Sequence, residues 1–433
     1  MFGQMIQQLQ NADTFSLTGR IENIVGMSIE ASGGNAAVGD ICRIYNGETG
    51  DQVTAEVVGF KNDRILLMPY SDMSGISAGN FVRNTGTQLA LPMGPFLRGR
   101  IINALGQPID GGPPFPSGST HCVEGKYINP MARPAITERM EFGIKAIDGL
   151  LTIGKGQRIG IFAGSGVGKS TLMGMIAKNV KADINVIALV GERGREVLDF
   201  VRKDLGEEGM ARSILVVATS DQPAMLRKKC PSVATGIAEY FRDQGCDVLL
   251  MMDSLTRFAM AQREIGLAVG EPPVARGYTP SIYAELPKLL ERSGNFEKGS
   301  ITGVYTVLVE GDDTNEPIAD TVRGILDGHI VLSRRLAAAN HYPAIDVGAS
   351  ISRLMADIVP MEDRRAAGRV RDIMSVYEKS ADLVSIGAYK AGTNPKLDYA
   401  LSKIDAIDDF LKQGVDESFT YDATMQQMKK ILQ

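Results

Sequence analysis

Residues 158–178 read RIGIFAGSGVGKSTLMGMIAK, an apolar stretch followed by a glycine-rich turn and a run with helical periodicity. Small residues let a backbone wrap closely around a polyphosphate, so that successive N–H groups and the N-terminus of the next helix face the anion. Lys169 then reaches the outer phosphates, and the Ser170 hydroxyl is placed to ligate Mg²⁺. The residues predicted to bind the phosphates are Gly164, Ser165, Gly166, Val167, Gly168, Lys169, Ser170 and Thr171.

One position departs from the usual phosphate-loop pattern. That pattern places glycine five residues before Gly168, and the chain has Ala163 there. We expect the extra methyl group to narrow the backbone freedom at the start of the loop. The order of strand, loop, lysine, hydroxyl and helix still favours nucleotide binding over a glycine-rich turn without a ligand.

Two further apolar runs end in a carboxylate. Residues 247–254 read DVLLMMDS and end in Asp253, which is predicted to hold a metal-bound water, and residues 185–196 read NVIALVGERGRE and lead to Glu192. Because the carboxyl ends of parallel strands open on one crevice, Lys169, Glu192 and Asp253 are expected to meet there. Glu192 is then placed to polarise an attacking water as general base. The alternative is a surface salt-bridge cluster with the neighbouring charged residues, which contributes little to stability.

Phosphoryl transfer also needs a cation that neutralises charge on the terminal phosphate, and the planar guanidinium of arginine suits that purpose. Arg193 adjoins the predicted base and could act within the same chain. Arg353 ends the stretch HYPAIDVGASISR at 341–353. From the residues alone, Arg353 could be a mere surface charge.

Composition excludes several classes of protein. The chain has 433 residues, enough for two or three domains, and a net charge of −5, which argues against a global attraction to nucleic acid or anionic membrane. Its four cysteines have no paired spacing and its three histidines are too few for a histidine metal cluster, so reduced thiols in a cytoplasm are expected. Neither a signal peptide nor a membrane-spanning run is predicted.

The chain divides into four predicted segments. A tail covers 1–14, and 15–90 alternates short apolar runs with turn signals, which favours a small β-barrel or sandwich. Residues 91–357 begin with a connector rich in glycine and proline and continue with strands alternating with helices, which predicts a mostly parallel sheet. Residues 358–433 have helical periodicity and are expected to form a helical domain.

Several of these motifs together resemble the family of the α and β subunits of rotary ATP synthases. They are GSGVGKST, GERGREV, VLLMMDSLTRFAMAQREIG and PAIDVGASISR. Within that family, the AGSGVGKS form of the loop and the segments at 264–294 and 310–334 resemble the flagellum-specific type III export ATPases. The resemblance spans roughly residues 15 to 410 and rests on several independent motifs.

The resemblance implies an α/β fold with an N-terminal β-barrel, a RecA-like P-loop ATPase core and a C-terminal helical domain. It implies a hexameric ring that hydrolyses ATP with Mg²⁺ at sites between subunits. Arg193 would contact phosphate in its own chain, and Arg353 would be the arginine finger that reaches into the neighbour's site. Tyr342 resembles the aromatic that stacks on adenine, although a core tyrosine is the alternative. Ser170 and Asp253 would be the metal residues.

The same resemblance implies partners and a location. Regulatory or stator proteins, stalk proteins, export substrates and their chaperones would bind the ring, which would be cytoplasmic and peripheral to the membrane through the export gate at the flagellar base. Nucleic acid is not expected as a partner. The acidic DELSEE stretch of the rotary β subunit is absent from the sequence, which argues against stalk rotation in ATP synthesis. Only Met5, Ile6 and Leu9 form an apolar face in the short tail, where a regulatory partner could bind.

Three other functions compete with flagellar export. The nearest is export through a virulence injectisome, because it uses the same chemistry. A non-catalytic nucleotide-binding subunit would lack the carboxylate at Glu192. A ring-shaped RNA translocase would carry an aromatic and basic platform on its barrel, whereas 15–90 offers only scattered basic residues.

Overall fold

The computed structural model describes most of the chain. The predicted tail 1–14, with its apolar face, lies outside the described residues, and so do residues 310–315 of one segment that carries the family resemblance. The described residues are 18–33, 35–46, 50–116, 118, 120–125, 128–309 and 316–433.

Six described strands close into an N-terminal barrel in the order β1-β2-β5-β4-β3-β6. Alternate side chains point inward, and Ile21, Ile29, Ile44, Val57 and Leu67 are buried there. Closure leaves no edge strand unpaired, which confirms the barrel rather than an open sandwich. The strands are β1 (Thr18–Val25), β2 (Ser28–Ser32), β3 (Ile41–Tyr45), β4 (Gln52–Lys61), β5 (Arg64–Pro69) and β6 (Phe81–Asn84).

The central sheet has the strand order β19-β18-β12-β17-β15-β13-β14-β8, with β16 paired to β17. Its strands run parallel except for β16 and β19, so the predicted, mostly parallel sheet is confirmed. The strands after the barrel are β7 (Ala90–Pro92), β8 (Ile101–Asn103), β9 (Thr120–Cys122), β10 (Arg139–Met140), β11 (Ile153–Gly154), β12 (Arg158–Ala163), β13 (Ile184–Glu192), β14 (Ser213–Thr219), β15 (Asp247–Asp253), β16 (Gly294–Asn295), β17 (Ser300–Leu308), β18 (Gly328–Leu332) and β19 (Ile345–Ser352).

Helices cover both faces of the central sheet and form the C-terminal part of the chain. None of those in the described part of the chain is long and apolar enough to cross a membrane. They are α1 (Lys145–Leu150), α2 (Lys169–Asn179), α3 (Gly194–Asp199), α4 (Gly206–Ala211), α5 (Ala224–Asp243), α6 (Leu255–Ala268), α7 (Pro280–Leu290), α8 (Pro317–Ile325), α9 (Arg334–Ala338), α10 (Met355–Ile358), α11 (Met361–Ser385), α12 (Pro395–Leu411) and α13 (Tyr421–Leu432), with a π-helical turn at Phe200–Leu205.

The strand β13 shows why these strands are continuously apolar. Val186, Ala188 and Val190 pack into the core that contains α5 and α6, whereas Ile187 and Leu189 pack into the core that contains α2. Both faces of the strand are therefore buried, and each must carry apolar side chains.

The C-terminal helices join the core on the side of α2. Ala366 and Val370 of α11, Ile407 of α12, and Met425 and Met428 of α13 are buried in the same cluster as α1 and α2. The short helix α1 packs against α12 and α13, and the helix that begins at the predicted phosphate loop shares the same apolar core. The predicted three-part fold class is confirmed.

A buried charge cluster joins the barrel to the central domain. Lys229 of α5 lies 2.9 Å from a carboxylate oxygen of Glu56 on β4 and 2.6 Å from one of Glu124, and the Tyr70 hydroxyl donates to Glu56. Burial alone would lower the pKa of Lys229, but the two carboxylates raise it above its usual value. The lysine therefore stays charged between the two domains.

The predicted domain limits stay predictions. The limit after residue 90 falls inside β7, which pairs with β9, and the limit after residue 357 falls inside α10.

Candidate active site

Three charged side chains lie together at the carboxyl ends of three parallel strands in the central sheet. Lys169 follows β12 through the glycine-rich loop, Glu192 ends β13 and Asp253 ends β15, and these strands run in one direction. The Lys169 ammonium lies 3.7 Å from Glu192 Oε1 and donates a hydrogen bond to Asp253 Oδ1. Exposure of the three side chains is only 12%, 13% and 6%, so these charges interact in a largely desolvated site.

The glycine-rich loop presents unused donors. Gly166 and Gly168 have φ values of +78° and +86°, which favour glycine, and α2 begins at Lys169. No hydrogen bond between described residues has the N–H of Ser165, Gly166 or Gly168 as its donor. The helix N-terminus and these N–H groups together form a surface suited to an anion.

Ala163 is accommodated because it is still part of β12. The residue is buried, and it pairs in parallel register with Leu308 of β17 and Leu332 of β18. Extended backbone accepts any residue, so the departure from glycine requires no special conformation here. The methyl group of Ala163 therefore restricts a strand residue, which is extended in any case, and not the turn of the loop.

Glu192 has a raised pKa. Burial raises the pKa to about 7, and the neighbouring Asp253 carboxylate adds to the effect while Lys169 opposes it. A carboxyl group with a pKa near neutrality can accept a proton and release it again at physiological pH. The electrostatics of Glu192 therefore suit a general base.

Asp253 has a second donor besides Lys169. The Thr306 hydroxyl on β17 donates to Asp253 Oδ1 at 2.7 Å. Both donors meet the same oxygen, and no hydrogen bond between residues that the structure describes involves Oδ2. This oxygen is therefore available to a metal-bound water.

Arg193 lies apart from this cluster. Its side chain is 79% exposed and lies 3.7 Å from Glu196 at the start of α3, where its backbone N–H donates to the Glu196 carboxylate at 3.4 Å. Arg195 is likewise paired, with Asp199 at 3.6 Å. The surface salt-bridge alternative thus describes the two arginines of the GERGRE stretch but not the buried Glu192.

Tyr342 lies beside the loop. A Cβ on Gly168 would be 3.3 Å from the Tyr342 ring, and the side chain is 42% exposed. The Tyr342 carbonyl accepts a hydrogen bond from the Gln413 N–H at 2.9 Å, which ties this residue to the C-terminal domain. An exposed ring beside a phosphate loop is available for stacking on a base, whereas a core tyrosine would be buried.

Arg353 lies near the amino end of β12, whereas the phosphate loop follows the carboxyl end of the same strand. Its N–H donates to the Asp327 carbonyl, and the Asp327 N–H donates to the carbonyl of Arg158 at the start of β12. Lys169 follows the other end of β12, which spans 6 residues. At about 3.3 Å per residue, the two ends are on the order of 15 Å or more apart. The exposed Arg353 therefore cannot serve the phosphate loop of its own chain.

Arg257 on α6 is a site residue that the sequence prediction missed. A Cβ on Gly191, next to the predicted base, would lie 3.1 Å from Arg257 Cβ, and the buried Nε of Arg257 has no hydrogen-bond partner among the described residues. An unpaired buried guanidinium nitrogen is costly unless an anion satisfies it. Its place four residues after Asp253, in the first turn of the next helix, was the available signal.

These residues fit ATP with Mg²⁺. Ser170 is exposed at the start of α2, and Asp253 Oδ2 is available, so hydroxyl and carboxylate oxygens of the kind Mg²⁺ prefers are both present. Among described residues, no group of three or more His, Cys, Asp or Glu side chains could hold a metal. Mg²⁺ needs no such cage, because it is usually held by one or two protein oxygens together with substrate phosphates.

A parallel sheet with a phosphate loop after one strand and carboxylates after two others defines a P-loop nucleotide-binding protein. The chain belongs to the ATP synthase alpha/beta family. The family's nucleotide-binding domain matches residues 143–352, and its beta-barrel domain matches 21–86. The model of the T3SS EscN ATPase C-terminal domain matches 359–430.

Two relatives and one solved structure match this chain along nearly its whole length. A flagellum-specific ATP synthase of Bacillus subtilis is 55% identical over 95% of this chain and 94% of its own. A type 3 secretion system ATPase of Xanthomonas euvesicatoria is 49% identical over 95% and 93%. The assembled ATPase EscN of the enteropathogenic E. coli type III secretion system has a TM-score of 0.91 at 44% identity, covering 96% of this chain and 100% of that one. The chain is therefore an ATPase.

Proposed function

We propose that this chain hydrolyses ATP with Mg²⁺ to energise type III protein export, and that it does so for a flagellum. The observation that carries the catalytic part is the convergence of Lys169, Glu192 and Asp253 at one desolvated edge of the sheet. The identity to flagellum-specific relatives supports the biological part. The energy would serve unfolding of export substrates and their release from chaperones.

The proposed reaction is the transfer of the terminal phosphoryl group of ATP to water. The oxygen of the water attacks the γ-phosphorus while Glu192 accepts a proton from that water. The bond from the γ-phosphorus to the β–γ bridging oxygen breaks, which gives ADP and phosphate. Lys169 balances the negative charge on the outer phosphates. Arg193 adjoins the base, and it would contact phosphate only by leaving Glu196. Tyr342 is proposed to stack on the adenine.

Magnesium would be held by Ser170 and, through a water, by Asp253, and when bound it neutralises charge on the β- and γ-phosphates. The loop residues 164–168 would wrap the phosphates with their N–H groups.

Arg353 is proposed to complete the site of an adjacent copy in a hexameric ring. Its position at the edge opposite its own phosphate loop supports action between subunits. The assembled EscN structure and its complex with the central stalk EscO support a ring and a stalk partner for this chain as well. Stator or regulatory proteins, chaperones and the export gate are further proposed partners, and the ring would be cytoplasmic at the inner face of the membrane.

A virulence injectisome is the second candidate. The match of 359–430 to the EscN C-terminal domain and the 49% identity to a type 3 secretion ATPase favour it. Deleting the gene in its source and measuring secreted hook and filament proteins separates the two. Loss of filament export supports the flagellar role, whereas intact filaments with loss of another secreted set would establish the injectisome.

Enzyme assembly is tested with purified protein. If sites are shared between subunits, ATPase activity per chain should increase with protein concentration, so total activity rises more steeply than linearly. Full specific activity in a monomer would refute the shared site.

A further inference from the structure

We infer that Thr306 is a positioning residue for Asp253, and that its hydroxyl fixes the carboxylate in the orientation that binds Mg²⁺ with the nucleotide. The inference rests on the proposed function, because it needs Asp253 at the metal. Thr306 is one of four hydroxyl-bearing residues of β17, and its side chain is fully buried.

The strand register places the two side chains beside each other. Tyr305 of β17 pairs with Met252 of β15, so the next residues, Thr306 and Asp253, lie level on neighbouring parallel strands. On the other side Thr306 is in register with Ile161 of β12, the strand that leads into the phosphate loop. Thr306 is thus held between the two strands that carry the phosphate loop and the carboxylate.

The hydroxyl has a single described task. It donates to Asp253 Oδ1 at 2.7 Å, the distance of a strong hydrogen bond between a hydroxyl and a carboxylate. The terminal torsion of an aspartate is otherwise broad and nearly two-fold, so a carboxylate without fixed donors can turn. The hydrogen bond therefore determines which oxygen faces the nucleotide.

Lys169 cannot replace this hydrogen bond during the reaction. It donates to the same Oδ1 atom, but its proposed role is to bind the outer phosphates. When its ammonium turns to a phosphate, Thr306 is the remaining donor to Oδ1 among the described residues. Oδ2 then stays directed to the metal-bound water.

The strand supplies a matched control in Thr302. Thr302 lies four residues earlier on the same face of β17 and is equally buried, and its hydroxyl accepts a hydrogen bond from the Gly156 N–H at 2.9 Å. It lies toward the opposite edge of the sheet. Thr302→Val therefore removes one buried hydroxyl from the same strand without touching Asp253.

The test measures binding of a fluorescent ADP analogue to the full chain, with Mg²⁺ and with EDTA. We expect Thr306→Val to keep the affinity in EDTA but to weaken the gain from Mg²⁺ roughly 10-fold, in line with the loss of one charge-assisted hydrogen bond. Thr302→Val should respond to Mg²⁺ as the unchanged chain does. An equal loss in both variants, or none in Thr306→Val, overturns the inference.

A second pair of variants guards against misfolding. Thr306→Ser and Thr306→Ala both lose the methyl group and differ only in the hydroxyl, so Ser should keep the Mg²⁺ response and Ala should lose it. Equal responses in these two variants also refute the role. If the unchanged chain itself gains no affinity from Mg²⁺, the proposed function fails instead, and the two failures are thereby distinguished.

Discussion

Glu192→Gln tests the proposed base with little change in shape. The amide keeps the size of the side chain but cannot accept a proton from water, so turnover should fall at least ~100-fold, the lower range for loss of a general base. Affinity for ATP should stay within about 3-fold, because the phosphates are held mainly by the loop and Lys169. Glu208→Gln, at an exposed carboxylate on α4, is the control.

The pH dependence of turnover adds a second measurement to this prediction. With a pKa of about 7 for Glu192, the ionised fraction, and with it turnover, should rise about tenfold between pH 6 and pH 8. The variant should lack this rise. Steady-state phosphate release and binding of a fluorescent nucleotide at each pH give both values.

Stability supplies a third, independent measurement. The Glu192 pKa is raised on folding, so the unfolded chain loses this proton at lower pH than the folded one, and stability decreases as pH rises from about 4.3 to 7. The cost at pH 8 is at most about 4 kcal/mol. Glu192→Gln should therefore be more resistant to urea than the unchanged chain at pH 8, but not at pH 4. Normal turnover in Glu192→Gln, or an unchanged pH profile, would remove Glu192 from the proposed role.

Three further predictions concern the subunit interface, the contact of Tyr342 with adenine, and the charge cluster between the barrel and the central domain. Arg353→Ala and Lys169→Ala should each be inactive alone but regain partial ATPase activity in mixed rings, since some interfaces would pair an intact Arg353 with an intact loop. Mixed rings without activity would refute the action of Arg353 across the interface. Tyr342→Ala should raise the KM for ATP about 10-fold while Tyr342→Phe stays near the unchanged value, and equal KM values in steady-state kinetics would exclude stacking. Lys229→Met should lower the free energy of unfolding by roughly 3–5 kcal/mol, because Glu56 is left buried without its cation. A melting temperature equal to that of Lys379→Met, at an exposed lysine on α11, would contradict this.

Much of the fold could be predicted because the pattern was local. The strand β13 is apolar on both faces, and a strand of that kind must lie inside a covered sheet. The proximity of Lys169, Glu192 and Asp253 could be predicted because the carboxyl ends of parallel strands lie on the same side of a sheet. The barrel followed from short alternating runs.

Other features depend on register, which a single sequence does not reveal. Thr306 is one of four hydroxyl-bearing residues in β17, and only its alignment beside Asp253 gives it a role. Arg257 was missed because it lies on a helix, and only the folded chain brings it against Gly191 at the end of β13. Arg193 was placed beside the base by adjacency, but the turn into α3 directs its side chain outward to Glu196.

If Arg353 completes the site of an adjacent copy, as proposed, its separation from the phosphate loop of its own chain determines how activity grows as copies associate. Each head-to-tail junction would then join one loop to one guanidinium, so an open arc would have one unmatched loop at one end and one unmatched Arg353 at the other. The first copies to join add a single working junction apiece. The copy that closes the ring would add two complete junctions at once. Activity per copy would therefore be highest in the closed ring, because an open arc always leaves one loop without an Arg353.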